Sequence, residues 1–155
     1  MEESKFIVER LKTEHLKTLI EVENLSFSDP WSLSAFKEEI KNKLANYIVV
    51  VEKDKVVAYG GFWKVVDEAH ITNVAVHPDY RGNKLGDMIL GQLVKDAVEM
   101  GLERMTLEVR AHNMVAQGLY RKFGFVLSGI RPGYYRDNQE DAYIMWKELK
   151  EEKNG

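Results

Sequence analysis

The chain has no cysteine among its 155 residues. That excludes a disulfide scaffold, thiolate zinc, iron–sulfur clusters and a cysteine nucleophile. Proline is scarce: Pro30, Pro78 and Pro132 are the three present, each beside a turn-like segment. No repeat, low-complexity tract or Pro/Gly linker divides the chain. Long apolar runs are missing too. The longest, about Val56 to Trp63 with its glycines, falls short of the roughly 20 residues a membrane-spanning helix needs. A basic excess is also absent. With 25 acidic and 22 basic side chains the formal charge is −3, which argues against general nucleic-acid binding. Met1-Glu2-Glu3-Ser4-Lys5 is charged and unlike a secretory signal. These absences leave a soluble cytoplasmic enzyme or binding domain. At roughly 100–200 residues per domain, the length predicts one domain over 1–155. Its 45% hydrophobic content is enough to bury a core without staples. The charged end, from Lys147 and in particular over 148–155, is expected to fray.

What is present reads as alternating elements. Phe6–Leu11 is a short strand. Leu16, Leu19, Ile20 and Leu25 recur at helical spacing over about 14–25. Ser32 or Ser34 can cap a second helix that runs to about Lys41. Tyr47–Glu52, Val56–Val66 and Ala69–Val76 are extended runs, with Asp54 a turn residue between the first two. The clearest helix is Leu85–Met100, striped by Leu85, Ile89, Leu93 and Ala97 and stopped by Gly101. Met105, Leu107, Val109 and Ala111 alternate with Thr106, Glu108 and Arg110, a strand at period two. Asn113 can cap a helix ending near Phe123, with Gly124 beyond it. Phe125–Arg131 and Asp141–Leu149 close the series. The order β-α-α-β-β-β-α-β-α-β-β predicts a mixed α/β fold, with parallel neighbours only across helical crossovers.

Several places could carry chemistry, each with a plainer reading beside it. Tyr80-Arg81-Gly82-Asn83-Lys84-Leu85-Gly86 links a strand to the strongest helix. Its N–H groups and the helix dipole can bind phosphate, or it is an ordinary turn with two glycines. It is neither a Walker A loop nor a G-x-G-x-x-G. Glu108 faces away from Leu107 and Val109, either as a functional carboxylate or as the cross-strand partner of an arginine or lysine. Asn113 is a ligand contact or a simple cap, and Tyr120 is a functional phenol or core. The four histidines have no metal-binding spacing, and no serine sits in a G-x-S-x-G elbow. Tyr134 and Tyr135 follow Pro132-Gly133 and cannot both face one core, so one lines a surface or cleft. Residues 102–136 hold Arg104, Arg110, Arg121, Lys122, Arg131 and Arg136 against Glu103 and Glu108. That local excess suits the phosphates of a ligand and a cleft field.

Jointly these segments are more specific. The loop pattern (Gln/Arg)-x-x-Gly-x-(Gly/Ala) is met at Arg81, Leu85 and Gly86. Beside it stand Phe27-Ser28-Asp29-Pro30-Trp31-Ser32, Ile71-Thr72-Asn73-Val74-Ala75-Val76-His77-Pro78, Leu107-Glu108-Val109-Arg110-Ala111-His112-Asn113, Leu119-Tyr120-Arg121-Lys122-Phe123-Gly124-Phe125 and Arg131-Pro132-Gly133-Tyr134-Tyr135. The chain resembles the GNAT superfamily of acyl-CoA-dependent N-acetyltransferases. Within it, the chain looks like the RimI type, the ribosomal-protein-alanine N-acetyltransferases. The resemblance spans about residues 5–147. It implies a GNAT fold, a mixed central sheet of about seven strands flanked by about four helices. It implies acetyl-CoA as co-substrate, no metal, and a protein N-terminus as acceptor. That acceptor would be the N-terminal alanine of the eighteenth small-subunit ribosomal protein, with no direct nucleic-acid or membrane partner. By the same resemblance the backbone of Val74, Ala75 and Val76 would meet the pantetheine arm. Arg81, Gly82, Asn83, Lys84, Leu85, Gly86 and Asp87 would cradle the pyrophosphate, and Asn113 would touch the cofactor. Glu108 would be general base and Tyr120 general acid, while Phe27, Pro30, Trp31, Tyr134 and Tyr135 would frame the acceptor.

One residue departs from the pattern. The family usually has glycine where Lys84 stands. A positive φ there would cost a lysine about 1 kcal/mol or more. The expectation is instead that the Lys84 N–H still serves, its side chain turned to solvent or a CoA phosphate. The chemistry is self-consistent. An α-amine, with a reference pKa of about 7.7–8.0, is easier to neutralise than lysine near 10.4. A carboxylate can supply the base, and a phenol near pKa 10 can protonate a departing thiolate. The rival readings are acetylation of lysine or a small amine, and a silent acyl-CoA-binding module.

Overall fold

The computed structural model describes residues 5–149. Its elements are β1 (Ile7–Arg10), α1 (Leu16–Ser26) after a short 3₁₀ turn, α2 (Leu33–Lys41), β2 (Ala45–Glu52), β3 (Lys55–Val65), β4 (Glu68–Val76), α3 (Leu85–Glu99), β5 (Arg104–Arg110), α4 (Met114–Lys122), β6 (Val126–Arg131) and β7 (Ala142–Glu148). This is the order read from the sequence. The strands follow the hydrogen-bonded order β1-β2-β3-β4-β5-β7-β6. β4 and β5 are parallel, as expected across a helical crossover, and the pairs β1–β2, β2–β3, β5–β7 and β6–β7 are antiparallel. The chain divides into two compact units. One holds the residues up to Trp63 together with Thr72–Leu93, the other Lys64–Ile71 with the residues from Val94 on.

In the first unit, Tyr47–Val51 of β2 is an unbroken buried run rather than an alternating one. Such a run belongs to a strand covered on both faces. One cover is the apolar stripe of α1, Leu16, Leu19 and Val22, with Phe36 of α2, packed on Tyr47, Val49, Val51, Val56 and Tyr59. Of the two candidate caps for α2 it is Ser32 that serves, accepting from the Ala35 N–H at 3.1 Å. Lys53 and Asp54 join β2 to β3 with φ of 50° and 66°, the doubly left-handed turn that matches hairpin twist. On β3 the glycines make space. A Cβ on Gly60 would strike Ile89 of α3, and one on Gly61 would strike the Tyr47 ring.

In the second unit, Glu68–His70 of β4 run parallel to Arg104–Thr106 of β5. β5 pairs with β7 over its whole length, from Arg104↔Glu148 to Arg110↔Ala142. Asn113 caps α4 through the Ala116 N–H at 3.1 Å, and Gly124 follows the helix at φ 94°. Val66, read as the end of a strand, instead lies beyond β3 at φ 57°. The expected fraying from Lys147 is corrected. Lys147 and Glu148 belong to β7. Leu149 is fully buried and donates its N–H to the Glu103 carbonyl at 2.9 Å, because the apolar end of the strand has a ladder and a core to join. The rest of that expected tail, residues 150–155, lies outside the described residues. Among the described residues no helix is long and apolar enough to cross a membrane.

Gly61→Ala should destabilise the protein by about 1–3 kcal/mol, the usual cost of overpacking. The Tyr47 ring that a new methyl would strike is buried and hydrogen-bonded through its hydroxyl to Thr72. Urea unfolding of the variant measures it, and an unchanged midpoint would mean that the ring moves aside freely.

Candidate active site

The first unit supplies a turn rich in outward N–H groups. β4 ends at Val74, Ala75 and Val76, a 3₁₀ turn follows over Pro78–Tyr80, and α3 begins at Leu85. Between them Asn83 donates its side-chain amide to the Tyr80 carbonyl at 2.9 Å, which closes the turn. Gly82 has φ 89°, and a Cβ there would meet nothing within 4 Å, so glycine is needed for conformation and not for space. Lys84 has φ 58°, a left-handed backbone. The condition for strain is therefore met, and Lys84 is exposed; the turn reverses the chain so that Leu85 can bury its side chain and start the helix. Met88 donates to the Lys84 carbonyl at 3.2 Å. The N–H groups of Leu85 and Gly86 therefore precede the helical ladder. Two left-handed residues, an exposed Arg81 and Lys84, and a helix N-terminus make a cradle that fits a phosphate. Asp87, in the first turn, can offer an anion only its backbone, since its side chain is acidic.

The second unit supplies the acid–base candidates. On β5, Leu107 and Val109 are buried while Glu108 is 34% exposed on the opposite face. Its Oε2 lies 2.7 Å from Arg131 Nε at the end of β6, so the arginine partner weighed from sequence exists. It comes across β7, which separates the two strands. Arg110, two residues on and on the same face, contacts both oxygens of Asp137 at 3.0 and 3.2 Å and Glu140 at 3.1 Å. Its guanidinium lies 4.0 Å from the centre of the Tyr135 ring. The His112 N–H donates to Glu140 at 2.8 Å, and with Arg110 and Asn138 it holds that carboxyl below the usual range. The Gly133 N–H donates to Asp141 at 2.9 Å. The turn that carries Tyr134 and Tyr135 is thus tied down by charge. The two rings meet edge to face at 5.1 Å, Tyr134 exposed and Tyr135 half-buried.

Electrostatics link the phenols to the carboxylate. Burial pushes the Tyr135 hydroxyl up to about 12, Arg110 opposes this, and the Glu108 charge adds to it. Tyr120 is buried against Phe125. Burial raises its hydroxyl, and Tyr135 adds to the rise, so it keeps its proton throughout the working pH range. Asn113 carries the cap read as its plain alternative. The basic excess over 102–136 is corrected. Arg104 pairs with Glu68 and Glu148, Arg110 with Asp137 and Glu140, and Arg131 with Glu108. Those acids lie outside the window that was counted, or across strands within it.

The acceptor candidates Phe27, Pro30 and Trp31 lie in the first unit, Phe27 and Pro30 exposed and Trp31 half-buried with its ring 5.5 Å from that of Phe36. Sequence reasoning passed over Glu23, which accepts from the Trp31 N–H at 2.8 Å. The available signal was its place four residues after Leu19, on the apolar stripe of α1. Among the described residues no group of three or more His, Cys, Asp or Glu could hold a metal.

Strand order, the β4–β5 crossover and the cradle ahead of α3 define a mixed α/β protein suited to an anionic, phosphate-bearing ligand. Comparison with known proteins narrows the class. The acetyltransferase (GNAT) family model matches residues 16–125. A Bacillus subtilis (strain 168) protein is 41% identical over 149 residues, covering 96% of this chain and 99% of its own; its naming as a [ribosomal protein bS18]-alanine N-acetyltransferase is provisional. The Escherichia coli (strain K12) [ribosomal protein bS18]-alanine N-acetyltransferase is 34% identical over 140 residues, 89% of this chain and 94% of that protein. The crystal structure of the ribosomal-protein-S18-alanine N-acetyltransferase from Escherichia coli superposes with a TM-score of 0.85 at 31% identity, covering 94% of each chain. The chain belongs to the acetyltransferase (GNAT) family and is an acetyl-CoA-dependent N-acetyltransferase.

The left-handed Lys84 makes a prediction. Lys84→Gly should relieve about 1–2 kcal/mol of backbone strain and lose about 0.5–1 kcal/mol to chain entropy. A net gain of about 0.5–1 kcal/mol in urea unfolding is expected. A loss of stability would mean that the lysine side chain makes a contact worth more than the strain.

Proposed function

We propose that this chain acetylates the N-terminal α-amine of a protein. The acceptor is the N-terminal alanine of ribosomal protein bS18, Glu108 is general base and Tyr120 general acid, and residues 1–155 work as one cytoplasmic acetyltransferase domain. The observation that carries the acceptor is similarity along nearly the whole chain to proteins named for that reaction. The residue roles rest on the chemistry of the second unit. Glu108 is a partly exposed carboxylate on the face of β5 opposite the buried Leu107 and Val109. Arg131 holds it in one orientation, and an incoming ammonium can compete with the guanidinium for the same oxygen. Glu108 takes one proton from the ammonium, and the neutral amine nitrogen bonds to the acetyl carbonyl carbon. The carbon–sulfur bond then breaks, and the thiolate takes a proton from the Tyr120 hydroxyl, which burial keeps protonated. The second N–H proton of the attacking nitrogen restores the Tyr120 phenol once it has protonated the thiolate. Val74, Ala75 and Val76 present strand backbone to the pantetheine arm. Arg81, Gly82, Asn83, Lys84, Leu85, Gly86 and Asp87 hold the pyrophosphate, and Asn113 borders the cofactor. Phe27, Pro30, Trp31, Tyr134 and Tyr135 frame the acceptor.

Acceptor choice is tested with paired peptides. One begins with a free alanine, and the other has a blocked N-terminus and an available lysine. At pH 7 the first should react and the second far more slowly, because lysine is then almost wholly protonated. Comparable rates would move the assignment to a lysine acetyltransferase.

The two catalytic candidates should fail differently. Glu108→Gln should slow the reaction by about 10²–10⁴-fold at neutral pH. Its defect should shrink as pH rises through the amine's own pKa, where solvent supplies the neutral nucleophile. Tyr120→Phe should lower kcat more than it raises KM, with no rescue at high pH, since added base does not replace a proton donor. pH–rate profiles of both variants decide this. Near-normal rates for Glu108→Gln would put the base elsewhere, and wild-type behaviour of Tyr120→Phe would leave that tyrosine a core residue.

A further inference from the structure

Glu23 is 1% exposed, and the mechanism above does not use it. Its position is costly on two counts. Burial disfavours a charge, and the last turns of a helix present carbonyl oxygens that repel one. Glu23 stands in the last turn of α1, three residues before Ser26. Its carboxylate is held by donors from two other parts of the first unit. The Tyr59 hydroxyl of β3 donates to Oε1, and the Trp31 backbone N–H donates to Oε2 at 2.8 Å. The Tyr59 hydroxyl in turn accepts from Asn73 Nδ2 of β4 at 2.7 Å. The rings of Trp31, Phe36 and Tyr59 pack in series, with centroids 5.5 and 5.7 Å apart.

An apolar side chain of similar volume would avoid the cost of burying a charge but would leave the Trp31 N–H and the Tyr59 hydroxyl without their acceptor. What the carboxylate adds is an acceptor for one backbone N–H in the segment between α1 and α2. Ser28, Asp29 and Pro30 are exposed there, and at Trp31 the segment is pinned from within. The tyrosine hydroxyls around the carboxylate, Tyr59 and Tyr47, are raised chiefly by burial and further by the Glu23 charge, so they remain donors.

We propose that Glu23 is a positioning residue for the acceptor: by holding the Trp31 backbone against Tyr59 it fixes the surface that Phe27, Pro30 and Trp31 offer to the incoming peptide. The inference rests on the reading of that segment as part of the acceptor frame. Glu23 is buried and its carboxylate is engaged by Trp31 and Tyr59, so its effect falls on peptide binding through that segment. The Glu23→Gln amide has one acceptor oxygen and one NH₂, and cannot accept from both Trp31 and Tyr59.

The test is steady-state kinetics of the full chain with an alanine-initiated peptide and acetyl-CoA, each varied in turn. Glu23→Gln should raise the peptide KM about tenfold, the loss of one hydrogen bond to a charged group. The acetyl-CoA KM should stay within about twofold and kcat near wild type, a split that general loosening of the fold would not produce. Tyr59→Phe removes one restraint and keeps the Trp31 bond, so it should raise the peptide KM by a smaller factor with the same selectivity. Trp31→Ala reports on the acceptor frame itself. If it raises the peptide KM while Glu23→Gln leaves it unchanged, the positioning role is overturned and the acceptor frame stands. If Trp31→Ala leaves the peptide KM unchanged, the acceptor frame fails and the role of Glu23 fails with it. Should Glu23→Gln not melt cooperatively, Tyr59→Phe decides. A selective rise in peptide KM supports the role, and no change, or an equal rise in both KM values, overturns it.

Discussion

The pleat of β5 is the constraint from which the second unit's chemistry follows. Leu107 and Val109 are buried on one face, so Glu108 and Arg110 must share the other, and a slip of one residue would exchange the two sets. Pairing with β7 over seven successive residues resists that slip. Gln117 secures the end of the strand, donating from its buried amide to the carbonyls of Arg110 and Ala111 at 3.0 and 2.9 Å. With the register held, Glu108 meets Arg131, and Arg110 gathers Asp137, Glu140 and the Tyr135 ring. The turn bearing the two tyrosines has little apolar packing of its own. Its shape comes from charge-assisted hydrogen bonds to a rigid strand, which are shorter and stronger than neutral ones.

The first unit shapes its two candidate segments in opposite ways. The turn ahead of α3 is shaped by backbone torsion, with two left-handed residues and an exposed basic edge, and it carries strain at Lys84. Strained φ/ψ of this kind tends to sit where a ligand must be met. The segment between α1 and α2 is shaped by a buried acceptor, Glu23, with no positive φ between Phe27 and Ser32. The first leaves N–H groups ahead of the α3 ladder, whereas in the second the Trp31 N–H is taken up from within by Glu23.

Several charges in this protein are answered across strands. Three of the arginines that make residues 102–136 look basic are paired with carboxylates. Two of the four histidines, His15 and His77, are buried beside Glu9 and Glu21. A window of sequence counts charges along the chain, whereas pairing acts across strands. Arg104 reaches back to Glu68, and Arg131 crosses β7 to reach Glu108. The field that a ligand meets is what remains after those pairs are made.

Local rules were enough for much of the fold. The stripe of α3, the alternation of β5, the caps Ser32 and Asn113 and the stop at Gly101 act over a few residues, so their order along the chain could be read directly. The turn ahead of α3 was legible for the same reason, since its glycines, basic residues and following helix are contiguous. Tertiary structure decided the rest. Whether Glu108 has a partner depends on β6 lying one strand beyond β7. Whether Leu149 frays depends on a carbonyl at Glu103. Whether Lys84 is strained depends on where Leu85 must bury its side chain. Whether Glu23 is an idle surface acid or a buried anchor depends on a tyrosine 36 residues later. Periodicity and capping are settled by neighbours in the chain. The partner of a buried charge is settled by which distant groups the packed elements bring within about 3 Å, and no local pattern encodes that distance.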